Sequence, residues 1–254
     1  MSTHSQTVQQ QFDPLATMYL ESRVHASGPD LDWVTTWLAR GEAPGDAALD
    51  VGSGPGHLAF RLAGRFGRVC AVDPSGAMLA AAAAESHRRQ QPILTCQAHA
   101  DALPIPDADF DLVATRFSAH HWVDVPGALR EMRRVARPGG HLLLIDLLGD
   151  ESPLVDTHLQ AIELIRDPGH ARDLSVVEWQ AALRNAGWKS REFRSWPVRL
   201  EFGSWVARMR VPRQREALLR EMLAAAPAEV RQALAVEADG SFTARIGLFL
   251  AQKA

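Results

Sequence analysis

Cysteine is scarce in this 254-residue chain: only Cys70 and Cys96 occur. Two thiols make neither a disulfide framework nor a clustered zinc set, and both lie in apolar stretches that read as buried strands. A basic excess is also missing. Lys and Arg number 27 against 30 Asp and Glu, for a net charge of −3 and a pI of about 6.4. That balance argues against a general nucleic-acid binder. No apolar run is long enough for a membrane span; the longest, LLLIDLL at 142–148, is short and interrupted by Asp146. The opening MSTHSQTVQQQ is polar and lacks the apolar core of a secretory signal. The expectation is a cytoplasmic protein with reduced thiols.

What is present is a rhythm of strands and helices. Residues 1–12 read as disordered and 13–22 as helical. After a Gly-Pro break, Asp30 reads as the N-cap of a helix over 31–40. Apolar strands follow at 47–51, 68–72, 93–97, 110–115 and 141–147, separated by helices at 57–66, 75–90 and 125–136. These strands are continuous apolar runs, as in parallel strands covered on both faces. Repeated βα units predict an α/β fold: a doubly wound, mostly parallel Rossmann-like sheet with right-handed crossovers. Ligands in such sheets bind at the carboxyl ends of the strands.

After residue 150 the rhythm changes. Helices are predicted at 154–166 and 175–186, the second with Ser175 and Glu178 at capping-box spacing. An extended stretch at 190–201, helices at 212–225 and 228–237, and a strand at 241–252 follow. The late helical insertion reads as a lid. The chain divides into a leader (1–44), a core (45–150) and a C-terminal completion of the sheet (151–254), within one structural domain.

The first strand opens onto ALDVGSGPGHLAF (48–60). Glycines at 52, 54 and 56 let the backbone bend sharply and approach a ligand closely. The dinucleotide fingerprint G-x-G-x-x-G would need its third glycine at 57, where His57 stands. Asp73 ends the second strand, where its carboxylate could accept from both ribose hydroxyls or cap the next helix. Asp101 follows the third strand and could accept from an exocyclic amine.

ALDVGSGPG, AVDPS, ADALPIPDADFDLV and LREMRRVARPGGHLLL, in that order over about residues 45–148, resemble the class I S-adenosylmethionine-dependent methyltransferases. The nearest likeness is to the ubiquinone/menaquinone-biosynthesis-like (methyltransferase type 11) small-molecule branch. The leader YLESRVHASGPDL resembles that branch too. The resemblance implies a seven-stranded sheet with helices on both faces, S-adenosyl-L-methionine as cofactor, and a small organic acceptor. It also implies roles. Asp50, Gly52, Ser53, Gly54 and Gly56 would flank the methionyl part and ribose. Asp73, beside Pro74, would take the ribose hydroxyls, and Asp101 with Ala102 would line the adenine. Arg116 and Phe117 would close the end of the fourth strand. Tyr19, Ser22 and His25 would fold over the site. A sulfonium donor carries no phosphate, so no third glycine or basic cradle is required, and neither is present.

RFSAHHWVDV (116–125) follows the fourth strand, where an acceptor should sit. His120 and His121 are candidate bases, and Trp122 could stack on a flat acceptor; alternatively the histidines pack or cap the following helix, with Asp124 as a cap. His25 is a third candidate base. No metal site is expected, because adjacent histidines on a turn seldom share an ion. Trp179, Trp188, Trp196 and Trp205, with Phe193, Phe202 and Phe242, read either as core or as an acceptor pocket. Arg208, Arg210, Arg213 and Arg215 form either a solvated face or a site for an acceptor's carboxylate or phosphate. The expected partner is a small-molecule acceptor, not nucleic acid, and the expected assembly a monomer or homodimer. The rival activities are an NAD(P)-dependent oxidoreductase and an inactive methyltransferase-like binding protein.

Overall fold

The computed structural model describes residues 3–21, 26–43 and 45–253. Seven strands form one sheet: β1 (Ala47–Val51), β2 (Arg68–Asp73), β3 (Leu94–Gln97), β4 (Phe110–Arg116), β5 (Ala136–Leu147), β6 (Trp188–Leu200) and β7 (Phe242–Lys253), in the order β3-β2-β1-β4-β5-β7-β6. The first five run parallel, and β7 runs antiparallel to both β5 and β6. The doubly wound expectation therefore holds, with an antiparallel pair of strands, joined through three helices, added at one end.

Successive residues of a strand face opposite sides of the sheet. Leu49, Val51, Leu142 and Leu144 enter one core with Trp179 and Trp188, while Ala48, Leu143 and Ile145 enter the other with Leu58 and Leu62. Both faces are covered, which is why the strands read as unbroken apolar runs. Edge strand β3 is the exception: Leu94 is exposed and Cys96 only half-buried, so the reading of two buried thiols holds for Cys70 alone.

The helices are α1 (His4–Phe12), α2 (Ala16–Glu21), α3 (Pro29–Ala39), α4 (His57–Leu62), α5 (Gly76–Arg89), α6 (Val125–Val135), α7 (Pro153–Arg166), α8 (Val176–Asn185), α9 (Phe202–Arg208), α10 (Arg213–Ala225) and α11 (Ala228–Ala233). Helix α1 corrects the expectation of disorder over 1–12. Thr3 and Gln6 close a capping box, with each side chain accepting from the other's backbone N–H. Asp30 is a second correction. The cap of α3 is Gly28, and Asp30 lies inside the helix, buried, where it accepts from Arg116 Nε. Asp124 caps α6, and the Ser175–Glu178 capping box forms as read.

The late helices make a third core of their own, in which Leu159, Trp205, Leu219, Leu223 and Phe242 pack together. Trp179, Trp188, Trp205, Phe202 and Phe242 are all buried in cores. They build the fold and line no part of the cavity described next.

Candidate active site

The parallel half of the sheet opens at its carboxyl end into a cavity of about 420 Å³. Its floor is the turn after β1. Gly52 and Ser53 N–H both donate to Val72 O, at 2.7 and 3.0 Å, which folds the turn back onto β2. Gly52 has φ +68°, and a Cβ there would come within 1.8 Å of Ser118 Oγ; only glycine fits. Gly54 has φ +53° and nothing within 4 Å of where a Cβ would stand. Its backbone borders open space, and its N–H donates to Asp73 Oδ2 at 2.8 Å.

Two carboxylates end the two inner strands, and they differ. Asp73 is satisfied by the Gly54 and Ser75 amides. It does not cap α5; Ser75 does, accepting from Met78 N–H. Burial raises the Asp73 pKa and the two amides oppose the rise. Asp50 is 1% exposed; among the described residues neither carboxylate oxygen has a hydrogen bond of full geometry, and the Ala59 backbone amide gives it only weak support. Burial pushes its pKa up to about 7; the Ala59 amide opposes the rise, the Asp73 charge adds to it, and the Arg116 charge opposes it. A buried, unsatisfied carboxylate beside an open glycine turn has capacity for a cationic ligand.

One wall is the segment after β3, where Ala98, His99, Ala100 and Asp101 line the cavity opposite Met78. The other wall follows β4. Arg116 is buried against Asp30, its guanidinium 4.2 Å from the centroid of Phe117. Phe117 has φ +52°, a left-handed conformation that costs a non-glycine residue about 1–2 kcal/mol. The bend turns the chain into the short 3₁₀ segment Ala119–His121.

The roof is helix α1, through Ser5, Val8, Gln9 and Phe12. It is pinned by Gln9 Nε2 donating to Pro74 O at 3.0 Å, by Gln11 Nε2 donating to Met209 O at 3.1 Å, and by Ser75 Oγ donating to Asp13. Ser5 Oγ lies 3.2 Å from His99 Nε2. Tyr19 donates to Met209 Sδ, and its carbonyl accepts from His57 Nε2 at 2.9 Å. His57, standing where a dinucleotide enzyme would have glycine, thus staples the leader to the floor.

A methyltransferase domain family model matches residues 49–144. The uncharacterized protein YafE of Escherichia coli K12 is 38% identical over 200 residues, 78% of this chain and 97% of YafE. The uncharacterized methyltransferase YcgJ of Bacillus subtilis 168 is 32% identical over 207 residues, 81% of each chain. The crystal structure of YcgJ aligns with a TM-score of 0.82 at 28% identity, over 87% of this chain and 97% of that one. The chain belongs to the class I S-adenosylmethionine-dependent methyltransferases. A ubiquinone/menaquinone biosynthesis C-methyltransferase of Hahella chejuensis is 34% identical over 151 residues, 57% of this chain and 61% of its own length. Family membership sets aside the oxidoreductase alternative.

Of the residues expected to serve this methyltransferase, Tyr19, Asp50, Gly52, Ser53, Gly54, Asp73, Pro74, Asp101, Arg116, Phe117 and His121 line the cavity. Gly56 lies behind its floor, where a Cβ would stand 3.1 Å from the Phe60 ring. Ala102 does not line it: its N–H donates to His99 O, closing a turn that carries it away. Ser22 and His25 lie outside the described residues. Sequence reasoning missed His99, Met78, Phe12 and the rest of the roof. The four late arginines also divide. None lines the cavity: Arg208 and Arg215 are half-buried, and Arg210 and Arg213 are exposed. Among the described residues no group of three or more His, Cys, Asp or Glu is arranged to hold a metal, and no helix is long and apolar enough to cross a membrane.

The two adjacent histidines are not equivalent. His121 lines the cavity with Phe12 set edge-on to its ring. Its Nδ1–H donates to Gly169 O at 2.8 Å, so in the neutral ring Nε2 carries the lone pair. Burial, then the charge on His120, lower its pKa to about 4. His120 does not line the cavity. Its Nδ1–H donates to Asp146 Oδ1 at 2.6 Å and its backbone N–H to Asp146 Oδ2 at 3.1 Å. Burial alone would lower the His120 pKa, but Asp146 outweighs it and brings it to about 9.

Proposed function

We propose that this methyltransferase transfers a methyl group from S-adenosyl-L-methionine to a small organic acceptor at oxygen, carbon or nitrogen. The observation that carries the reading is Asp50: a buried carboxylate with only weak support from the Ala59 amide among the described residues, beside a glycine turn whose open side has room for a ligand backbone. The residues fit the donor. Asp50 supplies a counter-charge for its cationic end, and Gly52, Ser53 and Gly54 allow close approach. Asp73 accepts from two amides and, with about four lone-pair sites, retains capacity for the ribose hydroxyls. Ala98–Asp101 and Met78 border the adenine, with the wall carried by His99 and Asp101 and not by Ala102.

When bound, the donor supplies an electrophilic methyl carbon on a sulfonium. The protein's own work is alignment and exclusion of water. Phe12, Tyr19, Phe117 and Trp122 line the cavity, and orientation of this kind can contribute about 7–11 kcal/mol. His121 receives the acceptor's proton on Nε2 as the new bond to carbon forms. Its low basicity suffices for a hydroxyl, which becomes strongly acidic on methylation. His120 is no second base on this reading, being ion-paired behind the wall.

Two measurements test this. S-adenosylhomocysteine should raise the melting temperature and NAD should not; at about 100 times its Kd a ligand adds about 2.7 kcal/mol of stability. A metabolite panel should then reveal acceptor-dependent formation of S-adenosylhomocysteine. Stabilisation by NAD alone, or no acceptor-dependent turnover across hydroxyl, amine and carbon-acid classes, would sink the reading.

A further inference from the structure

We propose that His120 and Asp146 are positioning residues: a buried imidazolium–carboxylate pair that keeps the neighbouring His121 neutral, with its lone pair held on Nε2. The inference rests on the reading of His121 as proton acceptor and adds what makes that role possible.

The geometry begins with Asp146. It is a 1% exposed carboxylate within strand β5, paired with Gly247 of β7 and flanked by apolar residues. Such a group must be compensated. It receives both the ring N–H and the backbone N–H of His120, and the Leu147 N–H meets Oδ1 at 2.9 Å. A carboxylate so placed holds the His120 ring protonated and fixed. The His121 ring centroid lies 4.1 Å from that of His120. At that distance a resident positive charge opposes a second one strongly, because little water intervenes.

The remaining charges around the pair come from one segment, 167–173, which packs on the 3₁₀ turn through Ala171 and Arg172 N–H donating to His120 O. Asp167 Oδ2 lies 3.9 Å from His121 Nε2, too far for a hydrogen bond but close enough to steady the imidazolium once a proton arrives. His170 is 6.1 Å from His120, hydrogen-bonded through Nε2 to Gln160 Oε1, and burial followed by the His120 charge lowers its pKa to about 3. Asp173 is buried, neither of its oxygens has a hydrogen-bond partner among the described residues, and burial raises its pKa to about 8. From α1 the facing group is the uncharged Phe12. One imidazole of three is therefore charged, and it is the one outside the cavity.

The functional gain is availability. A free imidazole, with a pKa near 6.5, is substantially protonated at pH 6–7 and then accepts nothing. The same imidazole beside a permanent cation remains neutral there. It gives up driving force, but the proton of a methylating hydroxyl needs little.

Histidine-labelled protein followed by nitrogen-15 NMR from pH 5 to 9, alone and with S-adenosylhomocysteine, tests the proposal without any acceptor. In the wild type, His120 should be doubly protonated at pH 7.5 and His121 a neutral Nδ1–H tautomer down to about pH 5. In His120→Gln the His121 midpoint should rise by about one to two pH units, and in Asp146→Asn the His120 midpoint should fall. A neutral His120 at pH 7.5 in the wild type overturns the proposal even if neither variant folds. So does a His121 midpoint that His120→Gln leaves unmoved, the result for a pair that merely holds the 167–173 segment. The base reading fails separately, if His121→Gln retains wild-type turnover.

Discussion

The two ends of the cavity follow opposite electrostatic plans. At the floor, Asp50 and Asp73 present negative capacity, and among the described residues the Asp50 carboxylate has no hydrogen bond of full geometry, only weak support from the Ala59 amide. At the wall, charge is already balanced: His120 is paired with Asp146, and burial and the His120 charge lower the pKa of His121, the group facing the cavity, to about 4. On the proposed reading a cationic donor sits at the floor, and a base at the wall must not be protonated in advance.

The contrast can be broken in order of effect. Gly52→Val should abolish the thermal shift with S-adenosylhomocysteine, because the left-handed turn is strained for valine and its Cβ would strike Ser118. A normal shift in that variant would mean the floor is not the donor's seat. His121→Gln should lower kcat by about 10²–10⁴-fold with donor affinity within a few-fold; a loss of affinity alone would assign His121 to binding. Asp73→Ala should weaken donor binding by about 10–100-fold by calorimetry, from loss of charge-assisted hydrogen bonds. It should also lower the melting temperature, since Asp73 holds the Gly54 and Ser75 amides.

The smallest effect is a proton. With the Asp50 pKa raised to about 7, the folded protein binds more protons than the unfolded chain between about pH 4 and 7, so this group makes stability fall as pH rises through that window. A bound cation favours the carboxylate. S-adenosylmethionine binding near pH 6.5 should therefore release a fraction of a proton, read as a dependence of binding enthalpy on the buffer's ionisation enthalpy. Asp50→Asn should remove that dependence.

The floor was legible in the sequence because its signals are local: an apolar strand, glycines two apart, an acid at the next strand end. Capping residues such as Asp124 and Ser175 were legible for the same reason. The pairs that failed to show are distant in the chain. Asp30 finds Arg116 across 86 residues and His120 finds Asp146 across 26, and no periodicity predicts either. Asp146 did leave a trace, as a charge breaking a buried strand, a position that demands a partner. Helix α1 left none. Its sequence is polar and it has no buried residue, so only docking on the cavity reveals its place.

That docking bears on the pace of the enzyme. Because the first helix is tied to the body at two places, by Gln9 and the Asp13–Ser75 bond at the turn after β2 and by Gln11 at Met209, release of a spent nucleoside from the crevice should require those ties to loosen. Rapid mixing should then give a burst of methylated product in the first cycle followed by a slower steady state, with departure and not chemistry setting the tempo.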